Sequence, residues 1–173
     1  MPNLLLEQIE YKVDETRLGV WRRYVYPTGA LFVEFKAKTT FLGYPLIHFT
    51  SGKSPETGKR VVARGILAVG RIAVGVLAVG HAAFGIIAVG QLGMGVLLGL
   101  GQASTGAVAI GQAAFGFVFG LGQLATGVVA IGQVGVGKYV LGMFGIGDYV
   151  WSKQGANPVA VSFFKGLLTL FLR

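Results

Sequence analysis

Two histidines, seven acidic side chains and no cysteine are the material from which any reaction centre in this 173-residue chain would be built. An imidazole acting as general base or metal ligand needs a carboxylate or a further ligand beside it. His48 and His81 stand far apart, and neither has a suitable acid close by in sequence. A strand edge for His48 and a place in a repeated column for His81 are therefore the expectation. Without cysteine there is no disulfide, thiolate metal site or sulfur nucleophile. The segment Ser51–Arg60, SGKSPETGKR, has the flavour of a phosphate-binding loop. Its glycines at 52 and 58 are one residue too far apart, however, and Arg60 stands where a P-loop needs Ser or Thr. A charged turn is expected there. GLGQAS and GLGQLA lack the third glycine of a dinucleotide-binding turn and recur inside a repeat. The chain is thus expected to be non-enzymatic, with no cofactor and no metal.

Composition narrows the class. The chain is 53% hydrophobic and 13% charged, with 29 glycines. Disordered chains have the opposite balance, and collagen would place glycine at every third residue. Fifteen basic groups against seven acidic ones leave a net charge of +8, which favours acidic partners such as anionic lipid. Arg22-Arg23 and Lys59-Arg60 are too few basic pairs for a nucleic-acid surface, so nucleic acid is not an expected partner. Between Ala73 and Gly137 no Asp, Glu, Lys or Arg occurs. The opening MPNLLLEQIEYK has neither a basic start nor an apolar run of the length that a cleaved signal requires. A membrane-associated or cytoplasmic location is expected.

The elements that position these residues are set by glycine. From Gly65 it recurs every five residues to Gly95, then from Gly101 to Gly116 and from Gly122 to Gly142, with one residue added before Gly101 and one before Gly122. The longer period is 21 residues, as in Gly80–Leu100 and Gly101–Leu121. One alternative is an integral membrane protein with three or four transmembrane helices, since about 20 apolar residues span a bilayer. A step of five would smear glycine around a helix axis, whereas transmembrane helix contacts use a spacing of four. Short strand-like sides explain the rhythm better.

The pattern resembles that of the pentapeptide-repeat proteins. GQLGM at Gly90–Met94, GQAST at Gly101–Thr105 and GQLAT at Gly122–Thr126 carry the likeness, which covers residues 65–142. The resemblance implies a four-sided β-solenoid of about four coils of 20–21 residues, with the first and third positions of each pentad facing inward. The third position then forms an apolar axis running from Leu67 through Leu77, Val108 and Val129 to Tyr139, while the small fourth position faces out. The second position alternates between polar and apolar. On four sides this gives two polar ladders on opposite faces, Arg71, Gln91, Gln112 and Gln133 on one and His81, Gln102 and Gln123 on the other. An apolar face between them presents Ile66, Val69, Ile86, Val89, Ile110, Val128 and Ile131. At ordinary strand spacings such a face covers roughly 320 Å², and two such faces together exceed what a monomer usually exposes, which marks an interface.

The remaining segments read as covers. Val20–Tyr26, a turn at Pro27-Thr28-Gly29, and Ala30–Lys38 suggest antiparallel strands, with Leu31, Val33 and Phe35 alternating against Glu34 and Lys36. Thr40–Thr50 is read as a third strand and Leu4–Thr16 as a short helix. Pro158–Arg173 is expected to form an apolar helix, too short to span a bilayer, that covers the last coil or lies on a membrane surface. The organisation expected is an N-terminal β-rich cap over 1–60, a glycine-rich solenoid over 61–147 and a capping or membrane-surface helix within 148–173. The function expected is that of a structural scaffold that self-associates, as a homo-oligomer, or contacts membrane lipid through apolar faces. A soluble pentapeptide-like binding module is a further alternative, but a basic surface speaks against imitation of DNA.

Overall fold

A computed structural model describes residues 9–171. Over these residues the protein is mainly β with one short C-terminal helix, and the chain divides into two compact units between His81 and Ala82. No described helix is long and apolar enough to cross a membrane, and the residues of the repeat are extended, so a bundle of membrane-spanning helices does not form there.

The first unit opens with β1 (Lys12–Glu15), β2 (Gly19–Val25) and β3 (Leu31–Ala37), paired antiparallel. Residues 12–15 are therefore strand where a helix was expected, and residues 4–8 of that expectation lie outside the described part. The β2–β3 turn falls at Pro27-Thr28-Gly29 as read from the sequence. Gly29 adopts φ 79°, and the Tyr26 amide donates to the Ala30 carbonyl at 2.8 Å. Thr40–Thr50 is not one strand. It holds a small hairpin, β4 (Thr40–Phe41) and β5 (Tyr44–Pro45), followed by β6 (Ile47–Ser51), which pairs antiparallel with β3. The core of this unit is aromatic. Trp21, Phe35 and Phe49 lie across from one another on successive strands, with ring centroids 4.7 and 6.4 Å apart. Gly19 is required beside them, because an added Cβ would strike the Phe35 ring and the Lys36 carbonyl.

The repeat is β7 (Ala63–Ile146). It enters parallel to β6, with Ile47 opposite Leu67. In the second unit it pairs parallel with β8 (Tyr149–Ser152), where Tyr139 lies opposite Tyr149, ten residues on. The glycines report the same step. A Cβ added at Gly111 would land on the carbonyl of Gly101, at Gly122 on that of Gly111, and at Gly132 on that of Gly122. Residues ten or eleven apart are thus backbone neighbours, and side chains cannot intrude between them. Two pentads separate stacked residues, whereas a four-sided coil requires four pentads and a step of 20–21.

The inward-facing column also differs from the sequence expectation. Ala83, Ala88, Ala109, Ala114, Ala125 and Ala130 in the second unit are fully buried, as are Ala63, Ala68, Ala73 and Ala78 in the first. These occupy the fourth position of the pentad. The third position, expected to form the apolar axis, is more than half exposed at Leu97 and Val118, over a third exposed at Leu77 and Ile87, and half-buried at Leu67, Ile72, Val108 and Val129. Strand alternation explains the exchange: once the fourth residue points in, the third and fifth point out. The residue added to each long pentad is Leu98 or Phe119, so Gly99 and Gly120 keep the buried place. Among these small residues Ser104 is anomalous. Its Oγ is fully buried with no hydrogen-bond partner among the described residues, and an unsatisfied buried hydroxyl costs about 1–3 kcal/mol. Ser104→Ala is accordingly expected to raise the midpoint of thermal unfolding by about 2–12 °C, read by circular dichroism.

Beyond β8 come β9 (Gly155–Ala156), antiparallel to β8, and α1 (Pro158–Phe171). Asn157 caps the helix, its Oδ1 accepting the Val159 amide at 2.9 Å, and Pro158 fills the first turn, where no amide is needed. The helix packs on β8 and on Tyr139. The Phe163 ring stacks on that of Tyr139 at 4.2 Å, and Ala160 and Phe164 are buried.

Candidate functional site

Three features of the described residues depart from what folding alone explains, and the first is a buried ion network in the first unit. β3 and β6 place Lys36 opposite His48 and Glu34 opposite Thr50. Glu34 and His48 are both buried, and Nε2 of the imidazole lies 3.1 Å from Oε1 of Glu34. The Arg64 amide donates to Nδ1 at 2.8 Å. Nδ1 is therefore the acceptor, and Nε2 carries the proton that it donates to Glu34. Lys36 Nζ reaches the same carboxylate oxygen at 3.0 Å, and Arg22 reaches the other at 3.2 Å. The hydrogen bond from His48, helped by Lys36 and opposed by burial, lowers the Glu34 carboxyl from 4.5 to about 2. Arg22 also bridges to Glu56 at 3.1 Å and lies over the Tyr11 ring at 4.2 Å. Burial together with the hydrogen bond to Glu56 pushes the Tyr11 phenol upward.

His48 is thus neither at a strand edge nor remote from an acid. Fourteen residues separate it from Glu34, and only the β3–β6 register joins them. With both ring nitrogens engaged, the pair works as a clasp between β3, β6 and the start of β7. Ser51–Arg60 is the charged turn that its spacing indicated, closed by the Ser54 amide on the Lys59 carbonyl at 2.8 Å.

The second feature is the β4–β5 hairpin. Both of its turn residues have positive φ, 51° at Leu42 and 79° at Gly43. Such a turn calls for Asn, Asp or Gly in the first place. Leucine stands there instead, 82% exposed, between an exposed Phe41 and an exposed Tyr44. Beside the hairpin an open cavity of about 660 Å³ is lined by Lys36, Thr40, Tyr44, His48 and Arg64, among others.

The third feature is the pair of repeat faces. In the second unit the glycines at 90, 101, 111, 122, 132 and 142 form one column, each against the preceding one's carbonyl. Gln91, Gln102, Gln112, Gln123 and Gln133, which follow them, therefore line up in a single exposed column. In the first unit Gly80 lies on the Gly70 carbonyl, so Arg71 and His81 are aligned in the same way. The two ladders expected on opposite faces are merged by the ten-residue step. The intervening pentads carry the apolar positions. Ile86 (42% exposed), Ile110 (37%) and Val128 (47%) are open, Val89 and Ile131 are half-buried, and in the first unit Ile66 and Val69 are half-buried. Four of the more open apolar side chains of the repeat were not in the expected set. Val96, Leu97, Phe117 and Val118 are 56–81% exposed and stand in the two long pentads. The added residue in VLLGL and FVFGL was the signal that could have singled them out.

The chain matches no family model, no curated protein and no solved structure.

Proposed function

We propose that this is a non-enzymatic structural protein whose repeat winds as a flat, two-sided β-solenoid and self-associates through its apolar wall. The winding is supported by the parallel ten-residue register of β7 on β8, and within each unit by glycines stacked ten or eleven residues apart and by buried small residues at the fourth pentad position. The step of five is shared with the pentapeptide-repeat proteins, while stacking at ten supports two sides where those proteins have four. Two sheets held apart only by alanine bury one methyl per pentad, worth about 0.8 kcal/mol. So thin an interior leaves the outward valines, leucines and phenylalanines as the main apolar surface that remains to be covered.

The observation that carries the reading is the run of exposed Val96, Leu97, Phe117 and Val118 with no charged side chain anywhere in 82–136. Five apolar sides between Ile86 and Ile131, about 4.8 Å apart and about 17 Å long, cover roughly 400 Å², within the range of patches that serve as contact surfaces. A flat wall with regular columns is complementary to a copy of itself, as a two-fold contact requires. Size-exclusion chromatography with light scattering is expected to show an oligomer in detergent-free buffer. Phe117→Glu is expected to shift it to monomer while leaving the unfolding midpoint nearly unchanged, because the side chain is 81% exposed. A monomeric parent protein would defeat the proposal. Contact with lipid is the second reading, favoured by the exposed Leu168 and Leu170 of α1 and by the net charge of +8. It is distinguished by membrane fractions that release the protein to detergent but not to salt.

A further inference from the structure

The β4–β5 hairpin breaks two rules at one residue. For a side chain with a Cβ, the left-handed conformation is sterically unfavourable, and a leucine gains nothing from standing in water. Leu42 does both, at φ 51° and 82% exposure, more open than any other large apolar residue described. Strain of this kind persists where function requires it. Phe41 and Leu42 project together, and Tyr44 follows at 56% exposure with the amphipathic ring that suits a membrane–water interface. A convex apolar tip on a two-residue turn suits a soft medium better than a flat protein surface.

The base of the hairpin adds charge. Thr40, Tyr44 and Pro45 of the hairpin form part of the cavity wall, with Lys36, His48 and Arg64 completing its polar lining. Glu34, an acid next to these groups, is already bound by Lys36, Arg22 and His48. Arg64 has no ion pair among the described residues, and its side chain is exposed. A cavity of about 660 Å³ with two cations, a threonine and a tyrosine has room and donors for a phosphate monoester or diester. We infer that the hairpin and this cavity form a docking site for anionic phospholipid, with Phe41 and Leu42 entering the interfacial layer and Lys36 and Arg64 holding the headgroup phosphate. This site lies wholly in the first unit and does not depend on the reading of the repeat.

The test is flotation of the full chain with vesicles of phosphatidylcholine alone and of phosphatidylcholine mixed with phosphatidylglycerol. Binding is expected only to the mixed vesicles, weakening as salt is raised. Leu42→Gly should weaken it about tenfold or more, the worth of one buried leucine, while raising the unfolding midpoint by a few degrees, because glycine tolerates positive φ. A purely structural role for Leu42 cannot produce that opposite pair of effects. Arg64→Gln should weaken binding about fivefold and flatten its salt dependence. Phe117→Glu serves as the separator. If it abolishes flotation while Leu42→Gly leaves it intact, the lipid contact belongs to the repeat and this inference is overturned. Equal binding to neutral vesicles would overturn it too, as would release of the protein from the mixed vesicles by millimolar inorganic phosphate, which would assign the cavity to a soluble ligand.

Discussion

Glu34→Gln is expected to lower the stability of the first unit by about 3 kcal/mol at neutral pH, and to lose none of it near pH 2. The Glu34 carboxyl titrates at about 2 in the folded chain against 4.5 as its ordinary value. Each unit of difference is worth about 1.4 kcal/mol. A depressed acid stabilises the fold where it is ionised, so the contribution is complete above about pH 4.5 and fades as pH falls toward 2. Glutamine stands in for the protonated carboxyl: it can still accept the His48 Nε2 proton, but it offers no charge to Lys36 and Arg22. Thermal melts from pH 7 to pH 2 should therefore show two curves about 6–12 °C apart that converge at the acid end. Lys36 and the Arg22 side chain are 52% and 37% exposed, so Lys36→Gln should cost far less, as open ion pairs do. If the gap between parent and Glu34→Gln stays constant with pH, the loss comes from packing and the clasp is not electrostatic.

The clasp could not be read from the sequence because its members are joined by register. Glu34 falls in an alternating strand whose other face carries Leu31, Val33 and Phe35, and by hydropathy it belongs outside. The structure buries Phe32 and Glu34 together, since β6 delivers His48 to that same face. By contrast, the β2–β3 hairpin was legible, because Pro27-Thr28-Gly29 fixes a turn chemically whatever surrounds it. The rhythm of the repeat was legible for a similar reason: the glycines lie where a neighbouring backbone leaves no room for Cβ. The number of sides was not. A polar residue every ten fits opposite walls of a square or one wall of a flat coil, and the proposed flat coil rests on ten-residue backbone neighbours that no residue type announces.

Inside and outside were exchanged for a reason that composition hides. Normally the larger apolar residue of a pair is the buried one, and here both positions are apolar, so hydropathy does not separate them. Size regularity does. The inward column never exceeds serine from Ala63 to Gly135, and only at Val140 does a larger side chain enter. A position that tolerates only small residues over so many pentads is one where little room is left for a side chain. The third position varies freely between alanine, valine, leucine and isoleucine, as a surface does.

Ala130→Leu tests that exchange directly and is expected to be among the most damaging single changes in the second unit. Ala130 is fully buried beside Ala125, Val140 and Val150. Its Cβ lies at ordinary contact distance, 3.6 and 3.5 Å, from where a Cβ would stand at Gly135 and Gly137. Three further carbons have no space there unless the backbone at Gly135 and Gly137 moves away, and that movement exposes the neighbouring alanines. Overpacking a tight interior costs about 1–3 kcal/mol and occasionally more. Because Ala130 is fully enclosed, the upper end is expected, about 3 kcal/mol and a fall of about 6–12 °C in the unfolding midpoint. The companion change is Leu124→Ala, at the third position and 37% exposed, which should stay within about 0.5 kcal/mol. Had the third position faced inward, the order would reverse: Leu124→Ala would remove a core leucine at a cost of about 2–5 kcal/mol, and Ala130→Leu would add a harmless surface side chain. Two melts on two variants six residues apart in the same repeat therefore decide which wall of β7 is the interior, and with it which wall is free to meet a partner.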